Sequence, residues 1–150
     1  MPWTEFVRGG LGAFFGALGF AWLVRTPRRA WIPAGLVAAL VYLLYLGLAA
    51  FGVADPLAIF FATLAGSLSG QLCARKMKMI STVFLMAAIV PVVPGLGLYR
   101  MMAYLGQGST ALGAEQGVSA MITIAMTALG LAMGSHVDRA IHPSHWPHHG

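Results

Sequence analysis

The sequence predicts an all-α integral membrane protein of about five hydrophobic helical segments, and three observations carry that reading. Apolar residues fill 59% of the 150 positions and charged residues only 9%, a balance foreign to ordinary soluble domains. The charges are gathered at a few points, leaving uncharged windows at 9–24, 30–54, 56–74, 79–99 and 116–137, each near the roughly 20 residues that a helix needs to cross a bilayer core. These windows are apolar on every face, whereas the strands of a membrane β-barrel alternate apolar and polar positions.

The first helix is expected from about Thr4 to Val24, with Thr4 as N-cap and Arg8 reaching to the near interface. The start Met1-Pro2-Trp3-Thr4-Glu5 lacks the basic region of a signal peptide, so this window is expected to remain as a helix. After the loop Arg25–Arg29, a second helix is expected from Ala34, following Pro33, to Val53. A tight connection with Asp55 as cap and Pro56 in the first turn opens the third, about Leu57 to Cys73. Arg75, Lys76 and Lys78 end it, and a fourth apolar region runs from Met79 to Leu105. A loop at 106–110 leads to the last helix, about Gly117 to Gly134. Residues 1–135 thus read as one transmembrane domain. Residues 136–150, with histidines at 136, 142, 145, 148 and 149 among Pro143, Pro147 and Gly150, read as a disordered, His-rich cytoplasmic tail rather than a metal site.

A net charge of +5 does not point to nucleic acid, because the nine basic residues sit at window ends, as orientation signals do. If all five windows span, Arg25, Arg28, Arg29, Arg75, Lys76, Lys78 and Arg139 share one face. The positive-inside rule makes that face cytoplasmic, with the N-terminus outside and the C-terminus inside. A re-entrant fourth region would invert the last helix. The single cysteine, Cys73, allows no intrachain disulfide and reads as packing.

The fourth region carries the chemistry. Pro91 and Pro94 stand three apart, followed by Gly95 and Gly97. The prolines delete the hydrogen bonds to the carbonyls of residues 87 and 90, and the glycines ease non-helical dihedrals, so the helix is expected to break there. Backbone freed inside a bilayer must be buried in protein or line a wet cavity, and such broken helices commonly form transporter sites; the alternative is a packed proline kink. The amide end of a half-helix starting near Gly95 favours an anion such as a carboxylate. Arg100 is the lone charge between Met79 and Ala114. It reads either as the partner of a substrate carboxylate, with the Tyr99 hydroxyl beside it, or as a side chain reaching the outer headgroups. Pro91, Pro94, Gly95, Gly97, Tyr99 and Arg100 are therefore the candidate substrate-binding residues, with Ser81 and Thr82 as secondary polar contacts.

Elsewhere, Thr63, Ser67 and Gln71 share a face of the third helix, suited to bonding a neighbouring helix. Glycines four apart at 12/16, 66/70, 113/117 and 130/134 permit close helix approach, within the chain or between subunits. No nucleophile with a base, no nucleotide-binding loop and no zinc-protease motif is present, so neither an enzyme nor a cofactor is expected.

From Thr82-Val83-Phe84-Leu85 through Pro91-Val92-Val93-Pro94-Gly95-Leu96-Gly97-Leu98-Tyr99, the sequence resembles the threonine/serine exporter family (ThrE-like), specifically the small membrane subunit of its split, two-component form. Gly19-Phe20-Ala21 followed by Pro27-Arg28-Arg29-Ala30, and Gly66 with Ala74-Arg75-Lys76, extend the likeness over about residues 16–105. Arg25 departs from it, standing where a neutral or polar residue is expected. The resemblance implies secondary export of small carboxylate metabolites, threonine and serine or succinate-like dicarboxylates, across the bacterial inner membrane, by a chain working with a larger membrane subunit of the same family. A non-transporting scaffold subunit and a homo-oligomeric channel are the alternatives.

Overall fold

The computed structural model describes residues 3–92 and 95–141. These form six α-helices and no strand: α1 (Trp3–Leu23), α2 (Arg28–Ala50), α3 (Asp55–Met77), α4 (Ser81–Ile89), α5 (Gly95–Gly106) and α6 (Thr110–Ile141). Among the described residues α1, α2, α3 and α6 are long and apolar enough to cross a membrane. With 9 and 12 residues, α4 and α5 reach only about 14 and 18 Å, short of the roughly 30 Å core. The fourth hydrophobic region is thus two helices, and the chain is a multi-pass membrane protein.

Several boundaries differ from those expected. α2 begins at Arg28 rather than Ala34, with Pro27 as N-cap, because Pro33 inside the helix deletes a single bond, to the Arg29 carbonyl. Thr4 lies within α1, not at its cap. Asp55 is the first residue of α3, whose N-cap is Ala54. The loop before α6 is shorter than expected, and α6 itself is 32 residues long. It carries His136 and Asp138, which the sequence reading places in the tail; the remaining histidines, at 142, 145, 148 and 149, lie outside the described residues.

Four helices end in the same hydrogen-bonded turn. In each, one amide reaches back five residues and its predecessor three: Thr26 to Ala21 and Arg25 to Trp22, Val53 to Leu48 and Gly52 to Ala49, Met79 to Ala74 and Lys78 to Arg75, Ser109 to Tyr104 and Gly108 to Leu105. This turn needs a left-handed residue, and glycine supplies it most cheaply. Gly52 (φ 79°) and Gly108 (φ 78°) do so at one end of the bundle, whereas Arg25 (φ 53°) and Lys78 (φ 52°) occupy it at the other.

Contacts fix the directions of the helices. Added Cβ atoms at Gly130 and Gly134 would meet Thr63 and Ser67, and Asp138 is ion-paired with Arg75, so α6 runs parallel to α3. Gly66 faces Ala88 and Gly70 faces Phe84, making α4 antiparallel to α3; Gly113 meets Leu105 and Gly117 meets Met101, making α5 antiparallel to α6. Both halves of the fourth region therefore run the same way, away from the face that holds Arg25, Arg28, Arg75, Lys78 and Arg139. The two halves do not double back on each other, as those of a re-entrant hairpin would. Thr110 precedes Gly130 by about 30 Å of helix, while Asp55 precedes Thr63 by about 12 Å. The α5–α6 hairpin consequently extends well beyond the start of α3.

The interior is built from small side chains. Ala17, Ala30, Ala34, Ala38, Ala58, Ala62 and Ala88 are fully buried, while Leu23, Trp22, Phe15, Phe51 and Ile80 are exposed. Water would reverse this pattern; a bilayer permits it, because packing rather than hydrophobic burial joins helices in lipid. Among the described residues Phe84 is the one large ring fully buried, set among Ala30, Ala34, Ala74 and Ala87. The shared polar face of α3 is spent on α6 and on itself: Ser67 donates to the Leu131 carbonyl (3.2 Å), Gln71 to Ser67 (3.3 Å) and Thr63 to Ile59 (2.8 Å).

The glycine contacts give an opposite-sign test. A Cβ at Gly130 would lie 2.7 Å from the Phe60 carbonyl oxygen, a backbone atom that cannot swing away, while one at Gly12 meets nothing within 4 Å. Gly130→Ala is expected to destabilise the purified protein by about 1–3 kcal/mol. Gly12→Ala should stabilise it by about 0.5–1 kcal/mol through helix propensity. Thermal unfolding in detergent reads both; equal effects would contradict the α3–α6 contact.

Candidate functional site: a crevice between the first helix and the broken fourth segment

α1 and α4 both lie against α2 but touch each other little, which leaves a seam between them with α2 as its floor. Toward the basic face it opens into an apolar cavity of about 360 Å³, lined by Phe20 and Ala21 of α1, Val24 just beyond it, Ala34 of α2, and Thr82, Val83, Met86 and Ala87 of α4. Toward the other face it opens into a second cavity of about 350 Å³, lined by Gly9, Gly12, Ala13 and Gly16 of α1, Tyr42 of α2, and Val90 and Pro91 at the end of α4. Both volumes are at the lower end of the range for small-molecule sites.

Local sequence explains the upper cavity. α4 stops at Ile89; Val90 and Val92 still close turns onto Met86 and Ile89, but Pro91 has no amide to continue the ladder. The opposite wall is glycine, so the backbone itself lines the space: side chains at Gly12 and Gly16 would meet nothing within 4 Å. The polar groups near this end come from α2 and α3. Tyr42 and Tyr45, one turn apart, have ring centroids 6.3 Å apart, and Asp55 lies within electrostatic reach of Tyr45.

The eight candidate residues are strung along the fourth segment rather than gathered. Ser81 and Thr82 are the first residues of α4, at the basic face, and Thr82 lines the lower cavity. Pro91 lines the upper one, about 15 Å further along at helical rise. Pro94 lies outside the described residues. Gly95 and Gly97 are helical, in the first turn of α5, so they do not supply the non-helical dihedrals expected of them; the inner end of α5 is its amide end. Tyr99 (70% exposed) and Arg100 stand on the exposed surface of α5, which packs against α6 and buries no residue. Sequence reasoning did not single out Tyr42 or the Gly9–Gly16 wall as parts of a site. The signal was available, in glycines recurring at helical spacing on a helix without other small-residue demands and in two tyrosines sharing a face.

A family model described as "Threonine/Serine exporter, ThrE" matches residues 10–137, extending into the last helix, beyond the residues on which the sequence resemblance rested. No curated protein and no solved structure matches the chain.

The crevice predicts a pattern of thiol reactivity. In a Cys73→Ala background, single cysteines placed at Gly12 and at Thr82 are expected to react with a small charged thiol reagent, because thiolate forms only where water reaches. A cysteine at Leu36, an outward-facing side chain of α2 that is 58% exposed, is expected to stay unmodified in lipid. Reaction at 36 but not at 12 or 82 would show the seam to be dry.

Proposed function

The chain belongs to the threonine/serine exporter family, and from that premise we propose that it is the small membrane subunit of a split exporter whose substrate path follows the α1–α4 crevice. The observation that carries this reading is the coincidence of the break in the fourth segment with a cavity walled by bare glycine backbone. Interrupted helices beside a cavity are the recurrent way in which transporters place backbone polar groups at a substrate.

In this reading the candidate residues mark stations. Ser81 and Thr82 stand at the inner mouth. Pro91, Pro94 and the amide end of α5 at Gly95 and Gly97 hold the substrate carboxylate midway, and Tyr99 and Arg100 receive it at the outer mouth. Rocking of a second subunit against this one alternates access between the two mouths. The substrates are threonine and serine, with succinate-like dicarboxylates as the alternative cargo. The membrane is the bacterial inner membrane, and the positive-inside rule sets the N-terminus outside and the C-terminus in the cytoplasm.

The glycines support a larger partner of the same family. Gly66, Gly70, Gly113, Gly117, Gly130 and Gly134 are all occupied by neighbours within the chain, whereas Gly12, Gly16 and Gly19 of α1 face open space. A partner helix packed on them would close the crevice into a channel through the pair.

Two variants test the reading by export of labelled threonine, serine and succinate from proteoliposomes holding both subunits. Gly12→Leu puts a side chain into the crevice at a position where a Cβ meets nothing within 4 Å, and is expected to abolish export while leaving the chain folded. Arg100→Ala is expected to lower export about tenfold, the worth of one charge-assisted contact. Undiminished export in Gly12→Leu would remove the crevice from the path and favour the scaffold alternative.

A further inference from the structure

The cleft between the end of α1 and the start of α2 holds a different chemistry from the crevice. It is a cavity of about 530 Å³ lined by Trp22, Leu23, Arg25, Thr26, Arg28 and Trp31. The indole N–H of Trp31 donates to the Thr26 carbonyl (2.9 Å) and fixes the loop against the first turn of α2. Two arginines thus line one cleft, together with two tryptophans and a leucine. Among the described residues the one ion pair joins Arg75 to Asp138, so no carboxylate there neutralises Arg25 or Arg28.

Both arginines are kept against local cost. Arg25 takes the left-handed position (φ 53°) that glycine fills in two of the other three turns of this type. Arg28 is the first residue of α2, whose opening turn carries no acid, so its charge lies at the positive end of the helix dipole. A bound anion reverses the balance, since it pairs with both guanidinium groups and with that dipole.

We propose that this cleft is a binding site for a phosphate-bearing anion, supplied by the headgroup of an acidic phospholipid in the leaflet at the basic face. Guanidinium groups match phosphate oxygens in pairs. Basic clefts between membrane helices with aromatic rims suit such headgroups, the exposed Trp22 and Leu23 side chains lying along the acyl chains. A free phosphate offers the same oxygens but nothing for the tryptophan and leucine side chains.

The test titrates the purified protein in neutral detergent with phosphatidylglycerol carrying brominated acyl chains, which quench nearby tryptophan. Saturable quenching is expected, displaced by unbrominated phosphatidylglycerol but not by phosphatidylcholine or by inorganic phosphate at the same concentration. Arg25→Gly and Arg28→Gln should each bind about tenfold more weakly, while Arg29→Gln, outside the cleft, should bind as the parent does. Arg25→Gly is expected to fold at least as well, because glycine relieves the left-handed residue; its thermal midpoint in detergent without lipid checks this. Equal competition by phosphatidylcholine, or equal weakening in Arg29→Gln, would reduce the effect to general surface potential and overturn the site. Displacement by inorganic phosphate at comparable concentration would overturn the lipid as its source.

Discussion

The contact between α3 and its neighbours organises the molecule. In lipid there is no hydrophobic gain from bringing apolar helices together, so association depends on how closely backbones approach. α3 meets that constraint on two sides. Gly66 and Gly70 admit Val41 of α2 and Phe84 and Ala88 of α4, while Thr63 and Ser67 receive Gly130 and Gly134 of α6. At its basic end, Arg75 neutralises the buried Asp138 carboxylate, locking the register of α6. An unpaired carboxylate at that depth would be costly. α1 touches α2 and barely reaches α4, and α5 lies on α6. α1 and α5 therefore each have one main neighbour, α2 and α6, whereas α3 has three.

That distribution fits a transporter subunit. The rigid part, α2, α3, α4 and the second half of α6, is held by close contacts and a salt bridge. The parts proposed to meet substrate and partner, the α1 glycine face and α5, are left with open surface. Motion is cheapest where few contacts must be broken, so rocking of α1 relative to α4 would open and close the seam without disturbing the α3 core.

Much of this was legible in the residues themselves. Charge-free windows placed the crossings, and the two prolines placed the interruption between α4 and α5. The spacing of Thr63, Ser67 and Gln71 placed a polar face that proves to serve helix contact. Other features were not legible because they depend on neighbours distant in sequence. Four glycine pairs look alike as text, yet three are filled by Val41, Phe84, Met101, Leu105, Thr63 and Ser67, and only the pair on α1 is open. Asp138 looked like part of a polar tail until its partner 63 residues earlier came beside it. The left-handed turns at Arg25 and Lys78 were hidden because glycine, the usual marker, is absent there. The candidate residues all lie on the fourth segment, but a linear motif could not reveal that they are spread from one face to the other, or that α1 lies across a cavity from Pro91.

The central claim is that this chain supplies one wall of a substrate path that a second subunit completes. Counterflow of labelled threonine, serine and succinate in proteoliposomes tests it most directly, with this chain alone and then together with a larger membrane subunit of the same family. The account predicts uptake only when both are present. Uptake of equal rate by this chain alone would contradict it, because the crevice would then be closed by copies of itself or by lipid rather than by a partner.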